Sequence, residues 1–88
     1  MVSKKVKLVN ELGMHARPAT LIVKKANKYR SDFYIKKGED KVNGKSIMGV
    51  MSLAAGKGTN LELIADGVDE EYLIKEIVNL INDKFGED

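Results

Sequence analysis

Alternation of apolar and polar residues predicts four β-strands in this chain. In the first strand, residues 5–9, one side is apolar and the other carries lysines. Residues 31–37 and 60–66 repeat the alternation, and a short strand at 41–43 closes a hairpin across a turn at 38–40. The positions predicted to face the core are Val6, Leu8, Phe33, Ile35, Leu61, Leu63 and Ala65.

Three other stretches have the apolar period of a helix. The first runs from Ala16 to about Tyr29, and the second covers residues 47–53 after Ser46, a serine suited to an N-cap. The third follows Asp69 as N-cap. The apolar helix faces are Ala19, Ile22, Val23 and Ala26 in the first helix, Val50 and Leu53 in the second, and Leu73, Ile77, Leu80, Ile81 and Phe85 in the third, with Lys84 in its last turn and Gly86 just past it.

The predicted order is therefore β-α-β-β-α-β-α, an α+β fold in which helices cover one face of an antiparallel sheet. With 88 residues the chain is long enough for a single domain, residues 1–88. It contains no cysteine and one histidine, so disulfides, thiolate catalysis and a metal centre are not expected, and no cofactor is predicted. No apolar run approaches the roughly 20 residues of a membrane span, and we expect a cytoplasmic protein without membrane insertion.

Candidate chemistry concentrates at the start of the first helix. His15 is the only histidine and Pro18 the only proline, and proline fits a first helical turn, which puts His15 at or just before the N-cap. Arg17 places a positive charge at the helix start, where the helix dipole favours a negative one. We therefore expect an anion from outside the chain to bind there, held also by the backbone N–H groups of Ala16 and Arg17. A histidine can itself act as a nucleophile, but these residues leave open whether the anion is bound or covalent.

Two motifs resemble a known family. Residues 13–19, Gly-Met-His-Ala-Arg-Pro-Ala, resemble the active-site motif of HPr, the histidine-containing phosphocarrier family of the bacterial phosphoenolpyruvate-dependent sugar phosphotransferase system. Residues 43–53 resemble the regulatory-serine segment of that family, especially its Gram-positive branch. The resemblance spans the chain and implies an open-faced β-sandwich, with a four-stranded antiparallel sheet covered on one face by three helices.

The resemblance also implies a relay instead of turnover of a free substrate. His15 would accept a phosphoryl group on Nδ1 from phosphorylated enzyme I and pass it to sugar-specific enzyme IIA domains, with Arg17 and the backbone N–H of Ala16 stabilising it. Ser46 would be phosphorylated by a serine kinase, reversed by a phosphorylase, and would then support binding to a carbon-regulating transcription factor. The partner-binding residues would be Thr20, Lys24, Ile47, Met48 and Met51, on a monomer.

Two other functions stay open. A regulatory module could act through Ser46 with His15 silent, although in the family a paralogue concerned only with repression lacks the histidine. A nucleic-acid-binding domain could use Lys4, Lys5, Lys7, Lys24, Lys25 and Lys28, but these scatter over two elements and the net charge is only +2. The chain departs from the family at Gly44, where many members have a larger residue, and at Ala54, where Gram-positive members commonly have glycine.

Overall fold

The computed structural model describes residues 1–87 and has the element order predicted from the sequence. In chain order the elements are β1 (Val2–Lys7), α1 (Ala16–Ala26), β2 (Asp32–Lys37), β3 (Asp40–Asn43), α2 (Ile47–Ser52), β4 (Asn60–Asp66) and α3 (Glu70–Asn82), followed by a 3-10 turn at Lys84–Gly86.

The four strands form one antiparallel sheet in the order β1-β4-β2-β3. Leu63 of β4 lies opposite Ile35 of β2, and both are fully buried. The adjacent pair on the same two strands, Lys36 and Glu62, points to the other face and is half-buried. The predicted α+β fold is confirmed: the three helices cover one face of the sheet and leave the other open.

The first strand was predicted too far along the chain. It spans Val2–Lys7 instead of residues 5–9, because its extent is set by pairing with β4, from Val2 opposite Ala65 to Lys7 opposite Asn60. Leu8 lies past the strand and is still buried, since its N–H donates to Thr59 at 3.0 Å and its carbonyl accepts from Gly58 at 2.8 Å.

The first helix ends at Ala26, earlier than the predicted Tyr29. Asn27 terminates it, because its side-chain amide donates to the Val23 carbonyl at 2.9 Å. Tyr29 instead packs against the core and donates its hydroxyl to Glu76 at 3.2 Å. All four residues predicted for the buried face of this helix are buried, namely Ala19, Ile22, Val23 and Ala26.

The third helix was predicted too long. It ends at Asn82, and Lys84, Phe85 and Gly86 adopt left-handed φ values of 55°, 56° and 72°. Phe85 is buried as predicted, but from this turn and not from the helical face, and Lys84 is not in the last helical turn. Asp69 precedes the helix as predicted, yet its carboxylate makes no cap and accepts instead from the backbone N–H groups of Arg30 and Ser31.

Candidate functional site

His15 is the N-cap of α1, in the extended conformation that N-caps adopt, with φ −89° and ψ −173°. The turn before it depends on Gly13, which has φ +66°. A Cβ at that position would lie 2.5 Å from the Ala55 carbonyl oxygen, the same oxygen that accepts from Met14 N–H at 2.8 Å. The loop after α2 thereby fixes where α1 begins and where His15 stands.

Among the described residues 1–87, no side chain caps the first-turn donors of α1. The His15 side chain makes no cap hydrogen bond, and the first turn contains no acidic residue. The N–H groups of Ala16 and Arg17 have no acceptor within the helix, since first-turn donors lack one, and both residues are exposed. The Arg17 guanidinium adds a positive charge at the positive end of the helix dipole. This helix start can therefore bind an anion beside the imidazole.

The carboxyl-terminal segment reaches the same place. Glu87 Oε2 lies 2.6 Å from His15 Nε2, and the Glu87 side chain is only 9% exposed, against 34% for His15. Glu87 Oε1 accepts from the Asn10 side-chain amide at 2.8 Å. This hydrogen bond holds the pKa of Glu87 below its ordinary value, and the hydrogen bond to His15 and the charges of His15 and Arg17 lower the pKa further.

Neither Asn10 nor Glu87 was predicted from the sequence as a site residue. Glu87 is 72 positions from His15, so local pattern does not place the two together. A weak signal exists in Gly86, because a glycine just past a helix marks a change of chain direction. The chemical consequence is specific: Glu87 engages Nε2 of the imidazole, so Nδ1 is the ring nitrogen that this contact does not occupy.

The start of α2 is closed by its own serine. Ser46 Oγ accepts from Gly49 N–H at 3.1 Å, so the predicted N-cap is confirmed. The preceding turn requires Gly44, because a Cβ there would lie 2.2 Å from the ring of buried Phe33. This contact accounts for a glycine at position 44. At the far end of the helix, Ala54 takes a left-handed φ of 48°, which glycine adopts without strain.

The second helix exposes part of its apolar surface. Met48 is 84% exposed and Ile47 and Met51 are each 40% exposed, whereas Val50 and Leu53 are buried. Exposed methionines are flexible and can adapt to differently shaped partners. Leu12, in the loop that leads to His15, is 72% exposed and was missed by the sequence analysis. We call Ile47, Met48 and Met51 the α2 patch.

His15 and Ser46 lie at opposite ends of α1. The Met14 N–H contacts the Ala55 carbonyl at the start of α1, while the Asn27 amide, at its end, donates to the Lys45 carbonyl at 3.5 Å. At a rise of about 1.5 Å per residue, α1 separates the two ends by about 16 Å. The α2 patch belongs to the helix that connects these two ends.

The other two predicted rim residues follow His15 along α1. Thr20 is half-buried and donates its hydroxyl to the Ala16 carbonyl at 2.7 Å. Lys24 is exposed. Both therefore lie on the helix whose first turn carries His15, and only Lys24 presents an extended charged side chain to solvent.

The lysines considered for nucleic-acid binding do not form one surface. Lys5 and Lys7 face the open side of the sheet, whereas Lys24, Lys25 and Lys28 belong to or follow α1 on the helical side. Among the described residues no helix is long and apolar enough to cross a membrane.

Comparison with known proteins gives a consistent result. A family described as "PTS HPr component phosphorylation site" matches residues 2–83. The phosphocarrier protein HPr of Treponema pallidum is 46% identical over 88 residues, which cover 100% of both chains. The HPr-like protein Crh of Bacillus subtilis is 43% identical over 84 residues, covering 96% of this chain and 99% of Crh.

Solved structures agree. An HPr structure from Thermoanaerobacter tengcongensis superposes with a TM-score of 0.96 at 46% identity, covering 100% of this chain and 99% of that one. A second structure from the same bacterium, described as an HPr dimer, gives a TM-score of 0.80 at 47% identity and covers 99% of this chain and 100% of the other.

Proposed function

The chain belongs to the HPr family of phosphocarrier proteins, and from that premise we propose that it accepts a phosphoryl group on His15 Nδ1 from phosphorylated enzyme I and passes it to enzyme IIA domains. One observation carries the proposal: a histidine whose Nε2 is engaged by a carboxylate stands at a helix start that no described side chain caps, beside an exposed arginine.

The transfer needs no proton to leave the imidazole. Glu87 accepts the hydrogen on Nε2, so Nδ1 has a lone pair that attacks the phosphorus of the donor. The new Nδ1–P bond forms as the donor's bond to phosphorus breaks, and the donor keeps that electron pair. The ring then carries a positive charge, which the Glu87 carboxylate balances. Passing the group onward returns the electron pair to Nδ1.

The phosphoryl oxygens would be held by the first turn of α1. The N–H groups of Ala16 and Arg17 and the Arg17 guanidinium would donate to them, as donors at a helix start do to phosphates. Arg17 is exposed, so it can also contact the phosphoryl group while that group is still attached to the donor. The chain thus acts as a carrier in a relay rather than as an enzyme with a free substrate.

We further propose that the α2 patch, with Thr20 and Lys24, forms the rim that docks enzyme I and enzyme IIA. Exposed apolar side chains on α2 and an exposed lysine on α1 support this rim. Transient complexes bury about 1,200 Å² or less, which suits repeated release. Since enzyme I uses phosphoenolpyruvate, we place the relay in the cytoplasm. We propose a monomer as the carrier form, although one related HPr forms a dimer.

Ser46 is proposed as a regulatory phosphorylation site for a serine kinase and phosphorylase. Its hydroxyl caps α2, and a phosphate there would be tolerated by the positive end of the helix. The added charge of about −1.5 to −2 would stand beside Ile47 and Met48. Because Ser46 is about 16 Å from His15 along α1, we propose that it acts on partner binding at the α2 patch and not on the imidazole.

Incubation with enzyme I and phosphoenolpyruvate, followed by mass spectrometry under conditions that preserve acid-labile phosphate, tests the main proposal. The wild-type chain should gain one phosphoryl group and His15→Ala none. Arg17→Ala should slow the gain about 10- to 100-fold, because hydrogen bonds to charged groups contribute about 1.5–3 kcal/mol. Lys28→Ala removes an exposed positive charge after the end of α1 and should react at the wild-type rate. An equal gain of acid-labile phosphate by His15→Ala would refute the assignment.

A second candidate function is a regulatory module that binds a carbon-regulating transcription factor through phosphorylated Ser46. The full-length similarity to the HPr-like protein Crh supports this second candidate. In that case Ser46 would be phosphorylated by the serine kinase and the wild-type chain would gain no phosphate from enzyme I.

A further inference from the structure

We propose that Glu87 is a positioning residue for His15, holding the hydrogen on Nε2 so that Nδ1 stays available, and that the left-handed turn at Lys84–Gly86 exists to deliver it. This inference rests on the proposed phosphoryl transfer. Its first support is the 2.6 Å contact between Glu87 Oε2 and His15 Nε2. A carboxylate can only accept hydrogen bonds, so this contact selects the tautomer with hydrogen on Nε2.

The second support is the way Glu87 is itself held. Asn10 is fully buried, and its side-chain amide donates to Glu87 Oε1 and to the Gly13 carbonyl, both at 2.8 Å. Gly13 is the residue that sets the start of α1. One buried side chain therefore fixes the carboxylate relative to the turn that presents the imidazole, and the two groups move together.

The third support is the backbone between α3 and Glu87. Had α3 continued past Asn82, its axis would have carried the chain onward by about 1.5 Å per residue. Instead Lys84 and Phe85 adopt left-handed φ values, which non-glycine residues rarely do. Such backbone persists only where its surroundings hold it, and here Phe85 is 3% exposed and Glu87 is bonded to Asn10 and His15.

Burial of Phe85 accounts for the segment returning to the core but not for the direction of Glu87. The Glu87 side chain is 9% exposed, so the carboxylate is shielded from water and its hydrogen bond to Nε2 competes little with solvent. The pairing also balances charge: when Nδ1 gains the phosphoryl group, the imidazole becomes positive next to a carboxylate that is already in place.

Nitrogen-15 NMR of the imidazole, recorded without enzyme I at about pH 8.5 where histidine is neutral, tests the contact directly. The wild-type chain should carry the hydrogen on Nε2. In Glu87→Gln the amide can donate to Nε2, and the population with hydrogen on Nδ1 should rise several-fold. Glu39→Gln, which removes the same charge in the β2–β3 turn, should leave the tautomer unchanged.

The transfer rate from enzyme I and phosphoenolpyruvate is measured on the same variants. Glu87→Gln should be slower by about 10- to 100-fold, the range found when a carboxylate that orients a metal-bound histidine is lost. Glu87→Asp keeps the charge at a greater distance and should recover part of the rate. Thermal unfolding by circular dichroism checks that each variant is folded at the assay temperature.

An unchanged tautomer in folded Glu87→Gln would overturn the inference, as would an altered tautomer with a wild-type transfer rate. If the wild-type chain gains no phosphate from enzyme I, the proposed function fails. The tautomer measurement then still decides whether Glu87 fixes the ring, because it uses no partner protein.

Discussion

The first two helices of this chain begin in opposite ways. α2 begins with Ser46, whose hydroxyl accepts from Gly49 N–H and satisfies one donor of its own first turn. α1 begins with His15, whose side chain turns away to Glu87 and leaves the first-turn donors uncapped. Both N-caps have extended backbones, so geometry alone does not separate them. The choice of side chain does.

The two helix starts differ in what they contribute: the cap on α2 stabilises the fold, whereas the start of α1 carries the candidate functional residues. A serine cap contributes about 1 kcal/mol and uses up donors that an anion could bind. The start of α1 does without that contribution, and under the proposed function its donors would hold the phosphoryl group. In its place the fold supports His15 through Gly13 on one side and Glu87 on the other.

The largest effect is expected from Gly13→Ala, which disrupts the turn that precedes α1 and positions His15. The left-handed backbone costs about 1–2 kcal/mol in alanine, and the clash of a Cβ with the Ala55 carbonyl adds about 1–3 kcal/mol. The unfolding free energy in urea should therefore fall by about 3 kcal/mol. Gly38→Ala is the matched control, because its φ is +60° and no atom lies within 4 Å of the new Cβ. Equal losses in both variants would show that the loop absorbs the clash.

The next effect compares the two N-caps directly. Ser46→Ala should lower the unfolding free energy by about 1 kcal/mol, and Ser46→Asp should not, because aspartate also caps helices. At α1 the same preference should appear although the native residue makes no cap: His15→Ser should be more stable than His15→Ala by about 1 kcal/mol, since serine supplies the missing cap. Urea denaturation of all four variants measures this. If His15→Ser and His15→Ala have the same unfolding free energy, the first-turn donors of α1 are not available for a side-chain cap.

The smallest effect concerns the third helix start and its pH dependence. Hydrogen bonds from the Ser31 hydroxyl and from the backbone N–H groups of Arg30 and Ser31 lower the pKa of Asp69 from 3.8 to about 2. The group is ionised more readily when folded, so it stabilises the fold above about pH 4 and loses this effect as the pH falls towards about 2.

Asp69→Asn should therefore lower the melting temperature near neutral pH, with the difference from wild type shrinking as the pH falls through that window. Asp32→Asn, at an exposed position in β2, serves as control. A difference that stays constant down to about pH 2 would mean that the ionised carboxylate is not what stabilises Ser31 and Arg30.

Features set by neighbouring residues were predicted from the sequence. The starts of α1 and α2 follow from Pro18 and Ser46, whose effects act within one helical turn, and β4 was predicted with its correct bounds because its alternation is complete. The range of β1 was wrong, since it depends on pairing with a strand near the other end of the chain. The end of α3 was wrong as well, because Phe85 fits a helical face but is buried from a left-handed turn.

The candidate site divides in the same way. His15, Ala16 and Arg17 are adjacent in sequence, so the motif alone predicts that they act together on an anion. Asn10 and Glu87 join them only in the folded chain, because a buried amide and a turn after α3 bring distant positions together. The site residues that were missed are those whose role depends on tertiary contact.

The strand order also has a consequence for how the chain is made. β4 lies between β1 and β2, so during synthesis β1 lacks its partner strand until Asn60 to Ala65 have emerged, whereas the β2–β3 hairpin can close early through local contacts. Closing the long loop between β1 and β4 is the slow, entropically costly event for a topology of this kind. We expect newly made chains to pass through a state with a loose β1, in which Leu8 and the turn leading to His15 are the last parts to become fixed.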